Sequence, residues 1–289
     1  MRGALAKELV VSGRGLHTGR KVTARLRPVN PEAAGQGVLF RRVRHGKMLG
    51  VIPATLRAWR KLPLCSTLEG ENGLQVRTVE HLLAALLICG IDDVTVDLDN
   101  EEVPILDGGA EAWILGIRGV GRTSLPVTRR FIRIKEPYSS AVGNTGRYSV
   151  APSPVYSVDV KLVVHDFAPM AWSYEVNPET FAAEVAPARS YGHLKWVLPA
   201  FLHGLFSKTP VARGARPSCV AAICNGHVLG GMKLPNEFAR HKVLDMVGDF
   251  ALAGAPVLGK FTVVQPNHRR NQIFMKRILA QRSVWEWVG

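Results

Sequence analysis

Asn236-Glu237-Phe238-Ala239-Arg240-His241-Lys242-Val243-Leu244-Asp245-Met246-Val247-Gly248-Asp249-Phe250-Ala251-Leu252 reads as one buried helix. Residues four apart share a helix face, so His241, Asp245 and Asp249 form a polar stripe, while Val243, Met246, Val247 and Phe250 cover the opposite side. Burying an imidazole or a carboxylate without a partner costs several kcal/mol, so something must face that stripe. A divalent metal would satisfy it, because an imidazole and a carboxylate one turn apart can chelate from the same face. A helix whose His and Asp merely pair with each other would satisfy it too, and the stripe by itself leaves both readings open.

A second helix begins near Thr78. Val79, Leu82, Leu83, Leu86 and Leu87 recur at helical spacing, with Thr78 as a candidate N-cap and Gly90 as a candidate stop. His81 projects away from that face among Ala84, Ala85 and Ile88, so the helix is apolar almost all round and is expected to be buried on both sides. There His81 is either a ligand or a core histidine bonded to a backbone carbonyl. Beside it, Glu80 is either functional or simply favoured by the helix dipole.

Around these two helices, 289 residues with 47% hydrophobic and 21% charged composition describe an ordinary globular chain of about two domains. Cys65, Cys89, Cys219 and Cys224 include no Cys-x-x-Cys pair and no signal peptide precedes them, which points to reduced thiols in a cytoplasmic protein. The longest apolar run, Leu82 to Ile88, is too short to span a bilayer. A net charge of +14 favours an anionic partner: nucleic acid, an acidic membrane surface or a phosphorylated substrate. The basic residues are dispersed, without a basic tail or interleaved aromatics, and this argues against a nucleic-acid surface.

In chain order, Gly13 to Gly19 holds three glycines in seven residues, which calls for tight turns or close backbone approach. Strands are expected at Val22 to Leu26, Phe40 to Val43, Leu49 to Pro53 and Ile91 to Leu98, and a helix at Ala110 to Ile117. Gly119 to Val127 has linker chemistry. Beyond it, strands are expected at Phe131 to Lys135, Val155 to Val164 and Lys260 to Val264. Asn177 to Ala183 reads as a short helix, a hairpin turns at Asn225-Gly226, and a terminal helix covers Asn271 to Trp287. The sum is an α+β chain of two domains, 1–122 and 128–289, although no clean internal sequence repeat is visible.

Five motifs in order resemble the UDP-3-O-acyl-N-acetylglucosamine deacetylases of lipid A biosynthesis. They are Gly-Arg-Gly-Leu-His-Thr-Gly at 13–19, Thr-Val-Glu-His-Leu-Leu-Ala-Ala-Leu at 78–86, Glu-Val-Pro-Ile-Leu-Asp-Gly-Gly-Ala at 102–110, Ala-Arg-Ser-Tyr-Gly at 188–192 and Glu-Phe-Ala-Arg-His-Lys-Val-Leu-Asp-Met-Val-Gly-Asp at 237–249. The resemblance spans nearly the whole chain and includes the tail at Ile278 to Val288, and it implies that the two α+β domains are similar, each a mostly antiparallel sheet packed with helices, with the active site at their interface. It implies a catalytic zinc held by His81, His241 and Asp245 with one open position, although a two-His, one-carboxylate set also suits Fe(II).

It further implies Glu80 as the base, His268 as the acid, Asp249 as the carboxylate behind that imidazole, and Ser190, where the family usually has Thr, as the oxyanion hydroxyl. Lys242, His17 and Tyr191 would meet the substrate, a UDP-acyl-sugar approaching an anionic inner-membrane surface with which the enzyme associates transiently; no nucleic acid is expected. The sequence departs from the family at Asn267-His268-Arg269-Arg270-Asn271, which replaces Gly-His-Ala-Leu-Asn, at Tyr138 to Met170, and at Lys208 to Ser218 in the region of the acyl-chain passage. Retention of both an acid and a base favours turnover over a divergent paralogue that only binds metal and nucleotide sugar, and over a basic nucleic-acid-binding module.

Overall fold

The computed structural model describes residues 1–204 and 210–289. The first part of the chain runs β1 (Gly3–Leu5), β2 (Leu9–Arg14), β3 (Lys21–Arg27), β4 (Val38–Arg44), β5 (Lys47–Pro53), β6 (Trp59–Leu62), β7 (Cys65–Glu69), β8 (Gln75–Arg77), α1 (Glu80–Ile88), β9 (Val94–Leu98), α2 (Glu111–Val120) and β10 (Arg122–Ser124). The second runs β11 (Phe131–Ile134), β12 (Tyr138–Val142), β13 (Gly146–Ala151), β14 (Tyr156–Leu162), β15 (Met170–Glu175), α3 (Phe181–Glu184), β16 (Ser190–His193), α4 (Leu194–Gly204), β17 (Val220–Cys224), β18 (His227–Val228), α5 (Glu237–Ala251), β19 (Val257–Val264), α6 (His268–Ala280) and β20 (Trp285–Val288).

One strand path occurs twice. β2-β3-β9-β4-β5 in the first part and β12-β13-β19-β14-β15 in the second share the same sequence of pairings: antiparallel, antiparallel, parallel, antiparallel. In both, the central strand follows a helix, α1 before β9 and α5 before β19. The architecture is therefore α+β and mostly antiparallel, repeated in topology where the sequence shows no repeat. β14 illustrates the local cause: Tyr156, Val158, Val160 and Leu162 alternate inward with Lys161 outward, as a half-buried strand demands.

The equivalent helices α1 and α5 pack on each other, and α5 packs also on β14 and β15. Both are buried nearly all round. Gly248 allows the crossing, because a Cβ there would lie 1.9 Å from the Glu80 carbonyl oxygen. Any other residue would push Glu80 and His81 away from the His241, Asp245 and Asp249 stripe. The core runs continuously through both parts of the chain.

Several expectations are corrected. Thr78 is not the cap of α1: its φ is +57°, Val79 holds the cap position, and the Thr78 hydroxyl donates to Glu102 Oε1 at 2.8 Å. Gly90, at φ +68°, does end that helix. The stretch read as a linker contains the end of α2 and β10, which pairs with β1. The terminal helix spans His268–Ala280, and Trp285–Val288 is a strand paired with β11, where alternate Trp side chains suit a sheet better than a helix. The helix expected from Asn177 starts at Phe181. The sequence pattern assigns no element to β6 to β8, β12, β13, β15, β16 or α4, the last because Pro199 lies inside it.

The Asn225-Gly226 hairpin forms as read, with φ of +48° and +74° and Cys224 opposite His227. All four cysteines are free. Among the described residues no helix is long and apolar enough to cross a membrane. Of the stretch from Lys208 to Ser218, the first two residues lie outside the described residues.

Candidate active site

The α1·α5 crossing brings His81, His241 and Asp245 together, with one ligand atom from each within 4.8 Å of the others. His81 Nδ1 lies 3.0 Å from Gly109 O and His241 Nδ1 3.0 Å from Ala188 O, so each Nδ1–H donates to a carbonyl and each Nε2 faces the other ligands as an acceptor. His81 is thus bonded to a backbone carbonyl and still free to ligate through its other nitrogen. Burial holds both imidazoles below their ordinary pKa, His241 at about 4, which keeps them neutral as ligation requires.

Asp245 Oδ2 accepts from Lys242 Nζ at 2.7 Å. Oδ1 lies 3.3 Å from His241 Nε2 but, although buried, has no hydrogen-bond partner among the described residues. Burial would raise the Asp245 carboxyl, yet the His241 ring and the Lys242 ammonium hold it well below the usual range. A buried, ionised, half-satisfied carboxylate beside two imidazole lone pairs fits a divalent cation better than it fits a simple His–Asp pair.

Glu80, one residue before His81, is fully buried; Ser66 N donates to its Oε2 at 3.1 Å, and His268 Nε2 lies 3.6 Å from its Oε1. Burial pushes its carboxyl well above the usual range, with the His268 imidazolium opposing. His268 opens α6. Asn267 caps that helix, its side chain accepting from Arg270 N at 3.0 Å, so the substituted turn still carries the imidazole inward. His268 Nδ1 donates to Asp249 Oδ2 at 3.1 Å, and Nε2 points toward Glu80 and Asp245. Burial opposes the imidazolium, but Asp249, Asp245 and Glu80 raise its pKa to about 10.

A cavity of about 830 Å³ opens on this cluster, within the range of ligand sites. His241, Lys242, Asp245 and His268 lie on its wall with Ser190, Tyr191 and His17; apolar side chains such as Leu16, Leu62, Leu64, Val163, Val197 and Val220 also line it. Ser190 Oγ stands 3.3 Å from His241 Nε2. Tyr191 stacks on Phe238, ring centroids 4.5 Å apart, under the Lys242 ammonium. The backbone N–H of His17 donates to Glu102 Oε1 at 2.8 Å, and its side-chain Nε2 is buried with no hydrogen-bond partner among the described residues. Gly15 is required beside it, since a Cβ would meet Glu102 Oε2 at 2.2 Å.

The structure gives a role to four residues to which the sequence assigns none. Ser66 Oγ donates to Asp249 Oδ1 at 2.5 Å, Asn271 Nδ2 to Oδ2 at 2.8 Å, and Tyr148 OH to Asn271 Oδ1 at 2.7 Å. Glu102 ties the 13–19 loop to Thr78, just ahead of Glu80. Asn271 carries a signal, one helical turn after His268, and Glu102 opens the 102–110 motif; Ser66 and Tyr148 are joined to the site by strand pairing and packing alone.

Three donors placed to hold a cation, with a buried carboxylate and a charged imidazole 3.6 Å apart beside them, make the arrangement that suits a metal-dependent hydrolase. The chain belongs to the UDP-3-O-acyl N-acetylglycosamine deacetylase family, whose model matches residues 2–280. It is therefore an enzyme of a family that hydrolyses an N-acetyl amide. A protein of Geotalea uraniireducens (strain Rf4) named UDP-3-O-acyl-N-acetylglucosamine deacetylase is 33% identical over 97% of this chain and 89% of its own length. Its namesake in Syntrophotalea carbinolica (strain DSM 2380 / NBRC 103641 / GraBd1) is 34% identical over 99% and 90%. In Vibrio cholerae serotype O1 (strain ATCC 39541 / Classical Ogawa 395 / O395) the figures are 31% over 99% and 93%.

Proposed function

We propose that this enzyme removes the acetyl group of UDP-3-O-acyl-N-acetylglucosamine, releasing acetate and a free amine in lipid A biosynthesis, with zinc held by His81, His241 and Asp245. The observation that carries this reading is the meeting of Glu80, His268 and the three donors at one crossing, reached from a cavity with a partly apolar lining. When bound, the ion supplies Lewis acidity to the amide carbonyl and the attacking water. Glu80 takes the proton from that water, and the Ser190 hydroxyl donates to the developing oxyanion. His268, held charged by Asp249, delivers a proton to the departing amine. Tyr191, Lys242 and His17 border the sugar, and the apolar wall receives the acyl chain.

A cytoplasmic location with transient association to an anionic membrane face, and a division into units 1–122 and 128–289, belong to the same proposal; the surplus charge supports the first and the repeated strand path the second. Acetate release from the UDP-acyl-sugar is expected from protein loaded with zinc or Fe(II), and none after chelation. No acetate from fully loaded protein would overturn the reading.

The pH profile tests the acid. Glu80 must be unprotonated and His268 protonated, so kcat/KM should be bell-shaped, its limbs belonging to the coupled site. Asp249 is the first carboxylate among those that raise the His268 pKa to about 10. Asp249→Asn removes that negative charge, the imidazolium loses its proton more easily, and the basic limb is expected to move to lower pH. A limb that stays in place or moves upward in folded, metal-loaded protein would separate His268 from the acid role.

A further inference from the structure

Arg189 and Glu237 form an ion pair that touches no candidate ligand atom, and both are almost wholly buried, 5% and 0% exposed. Arg189 Nε donates to Glu237 Oε1 at 2.8 Å and Nη2 to Oε2 at 3.1 Å, while the Arg189 backbone N–H adds a third bond to Oε1 at 3.0 Å. The same fork donates to Pro217 O at 3.2 Å and Gly231 O at 2.8 Å, and Lys233 N donates to Glu237 Oε2 at 2.9 Å.

We propose that this pair is a positioning device that sets the His241 ring in its ligating orientation. The residues on either side of Arg189 both hold that ring: Ala188 O takes its Nδ1–H and Ser190 Oγ stands at its Nε2. Glu237 lies one helical turn before His241 on α5. The ion pair therefore binds the strand that holds the ring to the helix that carries it, across a single turn, and draws in both loops that connect them.

The physics favours placement over stability. Two buried charges are no efficient source of stability, since an apolar pair of equal volume often serves as well or better. What the planar guanidinium fork adds is a fixed distance and direction, which an apolar contact lacks. Functional constellations tolerate displacements of only about 0.5 Å, and a helix slip of one residue is about 1.5 Å.

The inference rests on His241 being a ligand, and its test reads the metal rather than the substrate. Full-length Arg189→Met/Glu237→Met replaces the ions by apolar side chains of similar length, and Arg189→Lys keeps the charge without the fork. The double variant leaves Pro217 O, Gly231 O and the Arg189 and Lys233 N–H groups without these partners, so it is expected to fold with a lowered Tm, to bind Co(II) about 10–100-fold more weakly in competition with a chromophoric chelator, and to show a changed Co(II) absorption spectrum. Its kcat should fall with KM unchanged, and Arg189→Lys should recover part of each loss.

Unchanged Co(II) affinity and spectrum in both variants, with wild type loaded normally, would overturn the proposal and leave the zinc reading intact. If neither variant folds, the pair holds the fold and not the ring, and the proposal falls. Wild-type protein that takes up no Co(II) would remove the metal reading and this inference with it.

Discussion

His241→Ala should leave a folded protein that loses its metal on dialysis and, with it, acetate release. One of three donors disappears, and since even outer partners of a ligand are worth about 10–100-fold in metal affinity, a ligand itself should be worth more than about 100-fold. His81→Ala should do the same from the opposite helix. Folding is expected to survive in both, because the loss is a ring and its hydrogen bonds, to Ala188 O and Ser190 Oγ for His241 and to Gly109 O for His81, at about 1–3 kcal/mol for each group left unpaired. Elemental analysis after dialysis checks the result. Full occupancy in both variants would remove these residues from the ligand set.

Glu80→Gln and His268→Ala should each lower kcat by roughly two or more orders of magnitude while metal stays bound. Gln keeps the size of Glu80 and an acceptor for Ser66 N, so the site should hold its shape and lose only basicity. In His268→Ala, Asp249 keeps its bonds from Ser66 and Asn271, so the carboxylate behind the acid stays placed while the proton donor is gone. Single-turnover acetate release with metal content measured on the same sample separates the two. An unchanged kcat in either variant would refute the role given to that residue.

The line between legible and illegible follows the range of the interactions. His241, Asp245 and Asp249 were readable as one stripe because helix periodicity is local, and His81 stood out because an imidazole on an otherwise apolar helix has few reasons to be there. The Asn-Gly hairpin was readable because two φ values above zero restrict residue choice. Thr78 misled for the opposite reason: its hydroxyl has a distant acceptor, Glu102, that local capping rules do not include. Trp285 and Trp287 continued a helical pattern until β11 offered them a strand to pair with.

What the sequence determined by itself is the chemistry on each helix and the α+β alternation of elements, since both follow from residue types at short spacing. Only the tertiary structure decided that α1 and α5 are equivalent helices of a repeated strand path, crossing where Gly248 meets the Glu80 carbonyl. It also decided that Ser66, Asn271 and Tyr148 support Asp249, and that Arg189 and Glu237 span the turn below His241. These groups are far apart in the chain or lie on strands with no pattern of their own. Their meeting is set by sheet register and close packing, which no local run of residues encodes.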